Sequence, residues 1–189
     1  RTLRMAYNAD RKRLFERMIN GIHPNAELTN WKMEPEPLSN LWEPAKITIE
    51  YTVPDYAIVA GDYFLVKAPT SLGTFDLIVG MFLQQNTTLE TRNYPFELML
   101  TMALDVNEVI NLPSGYRPKI LPDKIKETTG IATVEAGYTF GDNQLKYQTS
   151  LRVKDSFVEL NQYSDLRKVT QSYSKGGDDQ AILVKGGKS

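Results

Sequence analysis

The sequence predicts a mainly β fold, an antiparallel β-sandwich with an N-terminal helix and a short C-terminal helix. Three observations lead there. Apolar and polar residues alternate through several separate runs, the period of a half-buried strand. Two of these runs, 132–140 and 145–153, are joined by Gly141-Asp142-Asn143, which has hairpin turn chemistry. Apolar residues at helical spacing mark a helix towards each end of the chain.

Residues 1–7 suit a short strand. Asn8 or Asp10 then offers an N-cap, and Leu14, Phe15, Met18, Ile19 and Ile22 recur on one helical face until Gly21 and Pro24 close it. Between His23 and Pro44 four prolines deny regular helix, which predicts a long surface loop anchored by Trp31 and Trp42. Ile47, Ile49, Tyr51 and Val53 open the strand region, and Gly61-Asp62 leads into Tyr63-Phe64-Leu65-Val66. Residues 75–83 fit either a strand or a helix. Phe96, Leu98, Leu100, Met102 and Leu104 alternate as one run, and 132–140 is expected to pair antiparallel with 145–153. Tyr163, Leu166, Val169 and Tyr173 lie at helical spacing, with Asn161 or Ser164 as cap. Gly176-Gly177 is expected to break that helix before a last buried strand, Ala181-Ile182-Leu183-Val184. No internal repeat is visible. The expected organisation is one domain over 1–189, with the helix and Pro-rich loop in 1–45 and the sandwich in 46–189.

Composition narrows the function. The chain has 189 residues, 41% hydrophobic and 24% charged, an ordinary globular balance with ample core. Its formal net charge of −1 lacks the basic excess that phosphate backbones demand, which argues against nucleic acid. Arg11-Lys12-Arg13 reads as the solvated face of the first helix. There are no cysteines, so disulfides, thiolate nucleophiles and sulfur-ligated zinc are excluded. No apolar stretch reaches the roughly 18–20 residues that span a bilayer. The chain opens at Arg1 with no signal peptide, which points to a fragment or processed product.

Few residues suggest chemistry. His23 is the single histidine and sits between a helix end and Pro24 without a nucleophile motif, so a helix-terminal polar role is favoured. Glu34 and Glu36 flank Pro35, and Asp178-Asp179 follow a diglycine; both pairs read as solvated turn residues rather than paired acids of a hydrolase. Their spacing does not match a calcium loop. Trp31, Trp42, Tyr51, Tyr56, Tyr63 and Tyr94 offer material for an aromatic platform that would take a glycan or peptide, or simply for core. Gly176-Gly177 has no phosphate-loop context. Asn86-Thr87-Thr88 is a glycosylation sequon only in a eukaryotic secretory pathway. No catalytic, cofactor or metal residue is expected, and Trp31 and Trp42 are the candidate interaction surface.

Several short segments occur in a definite order. Arg92-Asn93-Tyr94-Pro95-Phe96 is followed by an alternating strand, then Asn111-Leu112-Pro113-Ser114-Gly115-Tyr116 and Ile120-Leu121-Pro122. A long hairpin, Tyr163-Ser164-Asp165-Leu166-Arg167 and Ile182-Leu183-Val184 complete it. Leu112-Pro113-Ser114-Gly115 is also good type I turn chemistry, with Pro second and Gly fourth. This order resembles the C-terminal β-rich domain of bacterial transglutaminase-like proteins, and the first helix with Arg11 resembles the entry to that domain. In those proteins a β-domain of unknown function comes first and a papain-like transglutaminase core second. The family's Cys-His-Asp triad has no counterpart here, since cysteine is absent, and the resemblance implies no site residues. It implies a bacterial, exported or cell-surface accessory domain that packs against an upstream core of the same chain. The alternative is an envelope glycan- or peptide-binding module.

Overall fold

The computed structural model describes residues 8–35, 43–68, 79, 83, 86–98 and 101–186. The fold is the expected mainly β one, with several antiparallel sheets and, among the described residues, the helices Asn8–Asn20 and Tyr163–Asp178. Contacts divide the chain into two compact units, residues 1–56 and 57–189.

The first unit holds α1 (Asn8–Asn20), β1 (Glu27–Glu34) and β2 (Lys46–Thr52). Phe15, Met18 and Ile19 are buried on one stripe of α1, spaced as an amphipathic helix requires. Gly21 ends the helix, its N–H donating to the Arg17 carbonyl (3.1 Å). The predicted loop from His23 to Pro44 is corrected: an eight-residue strand lies inside it and pairs antiparallel with β2. The physical reason is that Pro24 and Pro35 lie outside the strand, where they remove no ladder bond. A bulge between Leu28 and Asn30 also disturbs its alternation, hiding the pattern from a period-2 reading. Arg11 is a second correction. It is buried, while Lys12 and Arg13 form the exposed face.

The second unit contains two four-stranded antiparallel sheets. One runs in the order β6 (Met102–Asn111), β10 (Gln144–Val153), β9 (Ala132–Gly141), β8 (Ile125–Thr128). The other runs β3 (Ile58–Ala60), β4 (Tyr63–Lys67), β12 (Gln180–Lys185), β7 (Tyr116–Ile120). Two short strands, β5 (Phe96–Glu97) and β11 (Phe157–Val158), pair separately. The β9–β10 hairpin forms in the expected register, Gln144 opposite Gly141. Asp142 and Asn143 have φ of 51° and 57°, the left-handed pair that a type I′ turn needs. The run 96–104 does not form one strand: β5 turns to β11, and β6 pairs with β10. Different partners pull its two ends apart. Gly115 has φ 86°, a left-handed conformation that glycine takes without strain.

Helix α2 (Tyr163–Asp178) covers one face of the first sheet. Leu166, Val169 and Tyr173 pack with Val134, Leu151, Ala132 and Val153 in the main core. The helix runs through Gly176-Gly177 instead of breaking there. A Cβ at Gly176 would lie 3.1 Å from the Ala136 Cβ and 3.2 Å from the Ile125 Cδ1. Glycine lets the helix approach the sheet, and that packing offsets the roughly 1 kcal/mol it costs in a helix interior. The helix has 16 residues. Tyr138 of β9 joins this layer to the second sheet: its hydroxyl accepts from the Ala68 N–H (2.8 Å) and donates to the Asp179 carbonyl (3.1 Å). Burial raises the Tyr138 pKa well above the usual phenol value, so it stays a neutral donor. The ambiguous segment 75–83 lies outside the described residues except Val79 and Leu83, both buried. Residues 1–7 also lie outside them.

Candidate functional site

Trp31 sits on β1 opposite Ile49, half-buried, with its ring 5.2 Å from that of Phe15 on α1. Trp42 lies outside the described residues. Trp31, Tyr51 and Tyr56 fall in the first unit, Tyr63 and Tyr94 in the second. Among the described residues of the set, Tyr94 is largely exposed, at 79%.

The other candidates have local roles. His23 accepts from the Asn25 N–H at Nδ1 (3.2 Å), a turn contact just past α1. Glu34 meets Lys32 (2.8 Å), whose hydrogen bond and charge lower its carboxyl pKa. Asp178 meets Lys67 (2.8 Å), and the Asp179 N–H donates to the Lys175 carbonyl at the end of α2. Glu36 lies outside the described residues. Among the described residues no group of three or more His, Cys, Asp or Glu comes together as a metal site requires.

A shallow groove of about 420 Å³ crosses the outer face of the first sheet, lined by Asp105, Asn107, Lys126, Glu135 and Gln148 among others. Its polar groups bond one another across the strands. Arg152 holds Asp105 in a two-pronged contact, Lys126 meets Glu135 (2.7 Å), and Gln148 Nε2 donates to Asn107 Oδ1 (2.8 Å). The Arg152 hydrogen bond lowers the Asp105 pKa, and Glu135 raises that of Lys126. Neither shift leaves a proton poised near neutral pH, as a general acid or base would need.

Two of the segments that carry the family resemblance, 92–96 and 163–167, meet in one local clamp. The Arg92 guanidinium lies 3.9 Å from the Phe96 ring centre and 5.5 Å from that of Tyr163. Tyr163 meets Phe96 edge-on and donates its hydroxyl to the Leu89 carbonyl (2.6 Å), while Arg92 Nη2 donates to the Asn86 carbonyl (2.9 Å). This joins the β5–β11 pair to the start of α2. Around it Leu89, Tyr94, Phe157 and Leu160 are exposed.

The second sheet carries a feature that sequence reasoning missed. Registers place Ile58, Leu65, Ile182 and Ile120 side by side across all four strands. Ile58 is 61% and Ile120 52% exposed, whereas Val66, Ala181 and Leu183 on the reverse face are buried. The four residues come from strands far apart in sequence, so no local pattern reveals the row.

The family described as a domain of unknown function with solved structure (DUF3858) matches residues 75–183, wholly within the second unit. The chain belongs to that family. Its fold is similar to the crystal structure of a protein described as a putative protease from Parabacteroides distasonis, at 15% identity and a TM-score of 0.52. The similarity covers 65% of this chain but 23% of that one, so the chain spans less than a quarter of that protein's length. No curated protein matches. Among the described residues no helix is long and apolar enough to cross a membrane.

Proposed function

We propose that this chain is a non-catalytic accessory domain of a longer, transglutaminase-like protein of the bacterial cell envelope, packing against or positioning a catalytic core elsewhere in that protein. The observation that carries the reading is the clamp. Arg92, Phe96 and Tyr163, which bear the resemblance, hold backbone segments together instead of lining a cleft. The fold likeness supports it, because the region occupies less than a quarter of a longer protein described as a protease. Fold alone does not transfer that activity. The test uses the full natural polypeptide with and without residues 57–189, assayed for acyl transfer from a glutamine peptide to an amine. Deletion should lower turnover while the remainder stays folded, and the 189-residue chain alone should show none. Turnover by the chain alone, or a deletion without effect, overturns the reading.

One observation favours a second reading, an envelope module for a glycan or peptide. Tyr94 stands largely exposed beside the clamp, with Leu89, Phe157 and Leu160 exposed in the same local structure. Binding of peptidoglycan fragments by the isolated chain, abolished by Tyr94→Ala, would favour it over the accessory role.

A further inference from the structure

We propose that the open face of the β3-β4-β12-β7 sheet docks a protein surface with an aliphatic centre and an acidic fringe, on the neighbouring domain of the longer polypeptide. This rests on the accessory-domain reading and names its contact surface.

Geometry comes first. Ile58, Leu65, Ile182 and Ile120 lie in register on four adjacent strands, and at about 4.8 Å between strands the row is about 14 Å wide. A second row, Ala60, Tyr63, Val184 and Arg117, runs beside it. An antiparallel sheet with one face in water normally places polar residues there. Here the buried face and the open face are both apolar, the pattern of a sheet covered on two sides. Contiguous apolar surface of this kind marks an interaction site, whereas a lone exposed isoleucine would not.

Charge selects the partner. Arg117 ends the second row, and Lys67 and Lys119 lie beside the two rows on β4 and β7. Lys67 meets Asp178 (2.8 Å), and Lys119 bonds the Tyr63 hydroxyl (2.8 Å) with its ammonium 4.4 Å from the ring centre. Among the described residues Arg117 and Lys119 form no ion pair. Two cations beside an aliphatic row ask for carboxylates at the rim of the partner, an arrangement that favours one partner and repels others. A second copy of this chain would present the same cation-flanked row rather than the carboxylate rim that these cations ask for, and is disfavoured.

The absence of cysteine makes the test direct. Ile58→Cys and Ile120→Cys each introduce one thiol on the row, and Val109→Cys, at a 52%-exposed position on the other four-stranded sheet, serves as control. Maleimide labelling is followed peptide by peptide by mass spectrometry in the 189-residue chain and in the full natural polypeptide. The three sites should label at similar rates in the short chain. In the full polypeptide, labelling at 58 and 120 should slow by about tenfold or more, as reaction then waits on local opening, with 109 unchanged. High salt should partly restore the rate, because the rim pairs are screened. Carbene footprinting of the unsubstituted chain gives the same comparison without any mutation. Unchanged labelling at 58 and 120 in the full polypeptide overturns this surface while leaving the accessory reading intact. A natural polypeptide with no further domain overturns both. Slowing that grows with the concentration of the short chain identifies a second copy, and slowing on anionic vesicles alone identifies a lipid surface; either result overturns the proposal.

Discussion

The two four-stranded sheets of the second unit are built alike and finished differently. The β6-β10-β9-β8 sheet buries one face under α2 and presents a polar face on which Lys126–Glu135, Arg152–Asp105 and Gln148–Asn107 are mutually satisfied. The β3-β4-β12-β7 sheet also buries one face, with Val66, Ala181 and Leu183, but its other face is the aliphatic row. The first sheet is complete within this chain. The second carries more apolar surface than its own fold uses, and at about 25 cal/mol per Å² that surface is available to a partner.

Variants can break or sharpen that contrast. The largest expected effect is at the α2-covered face. Leu166 is fully buried among Val134, Leu151 and Val169, so Leu166→Ala should cost about 2–5 kcal/mol, read as a lower urea midpoint. Gly176→Val comes next. Its side chain would collide with Ala136 and Ile125, and overpacking of this kind costs about 1–3 kcal/mol, measured by thermal unfolding. If Gly176→Val left stability unchanged, the close approach of α2 to the sheet would be misplaced.

The polar face should respond weakly. Arg152 lowers the Asp105 pKa, so the pair's contribution is present above the carboxyl's unfolded pKa and fades as pH falls through the lower folded value. Exposure and salt screening limit it to about 1 kcal/mol or less. Asp105→Asn should therefore flatten the acid limb of the stability profile slightly and leave stability at neutral pH within that range.

How far these regions were legible follows from the range of their interactions. The β9–β10 hairpin was readable because its alternation and its Asp142-Asn143 turn are local. The continuation of α2 through Gly176-Gly177 was not, since Ala136 and Ile125, forty and more residues earlier, decide whether glycine breaks the helix or seats it. β1 was hidden by the bulge at Leu28–Asn30 and by prolines that bound the strand without entering it. Arg11 gives no sign in sequence that it is buried beside exposed Lys12 and Arg13. Of the predicted interaction surface, Trp31 is half-buried beside Phe15. The aliphatic row went unseen because Ile58 and Ile120 become neighbours of one surface only after β4 and β12 pair between them.

The central claim is that the row on the β3-β4-β12-β7 sheet is surplus to this chain's own stability. Urea unfolding of the isolated chain with Ile58→Ser and Ile120→Ser together tests it most directly. Exposed positions away from core contacts usually change stability by about 0.5 kcal/mol or less each, so the double variant should unfold within about 1 kcal/mol of the parent, with the same slope. A loss of about 3 kcal/mol or more, comparable to Leu166→Ala, would show that the row is part of the chain's own core and would contradict the account.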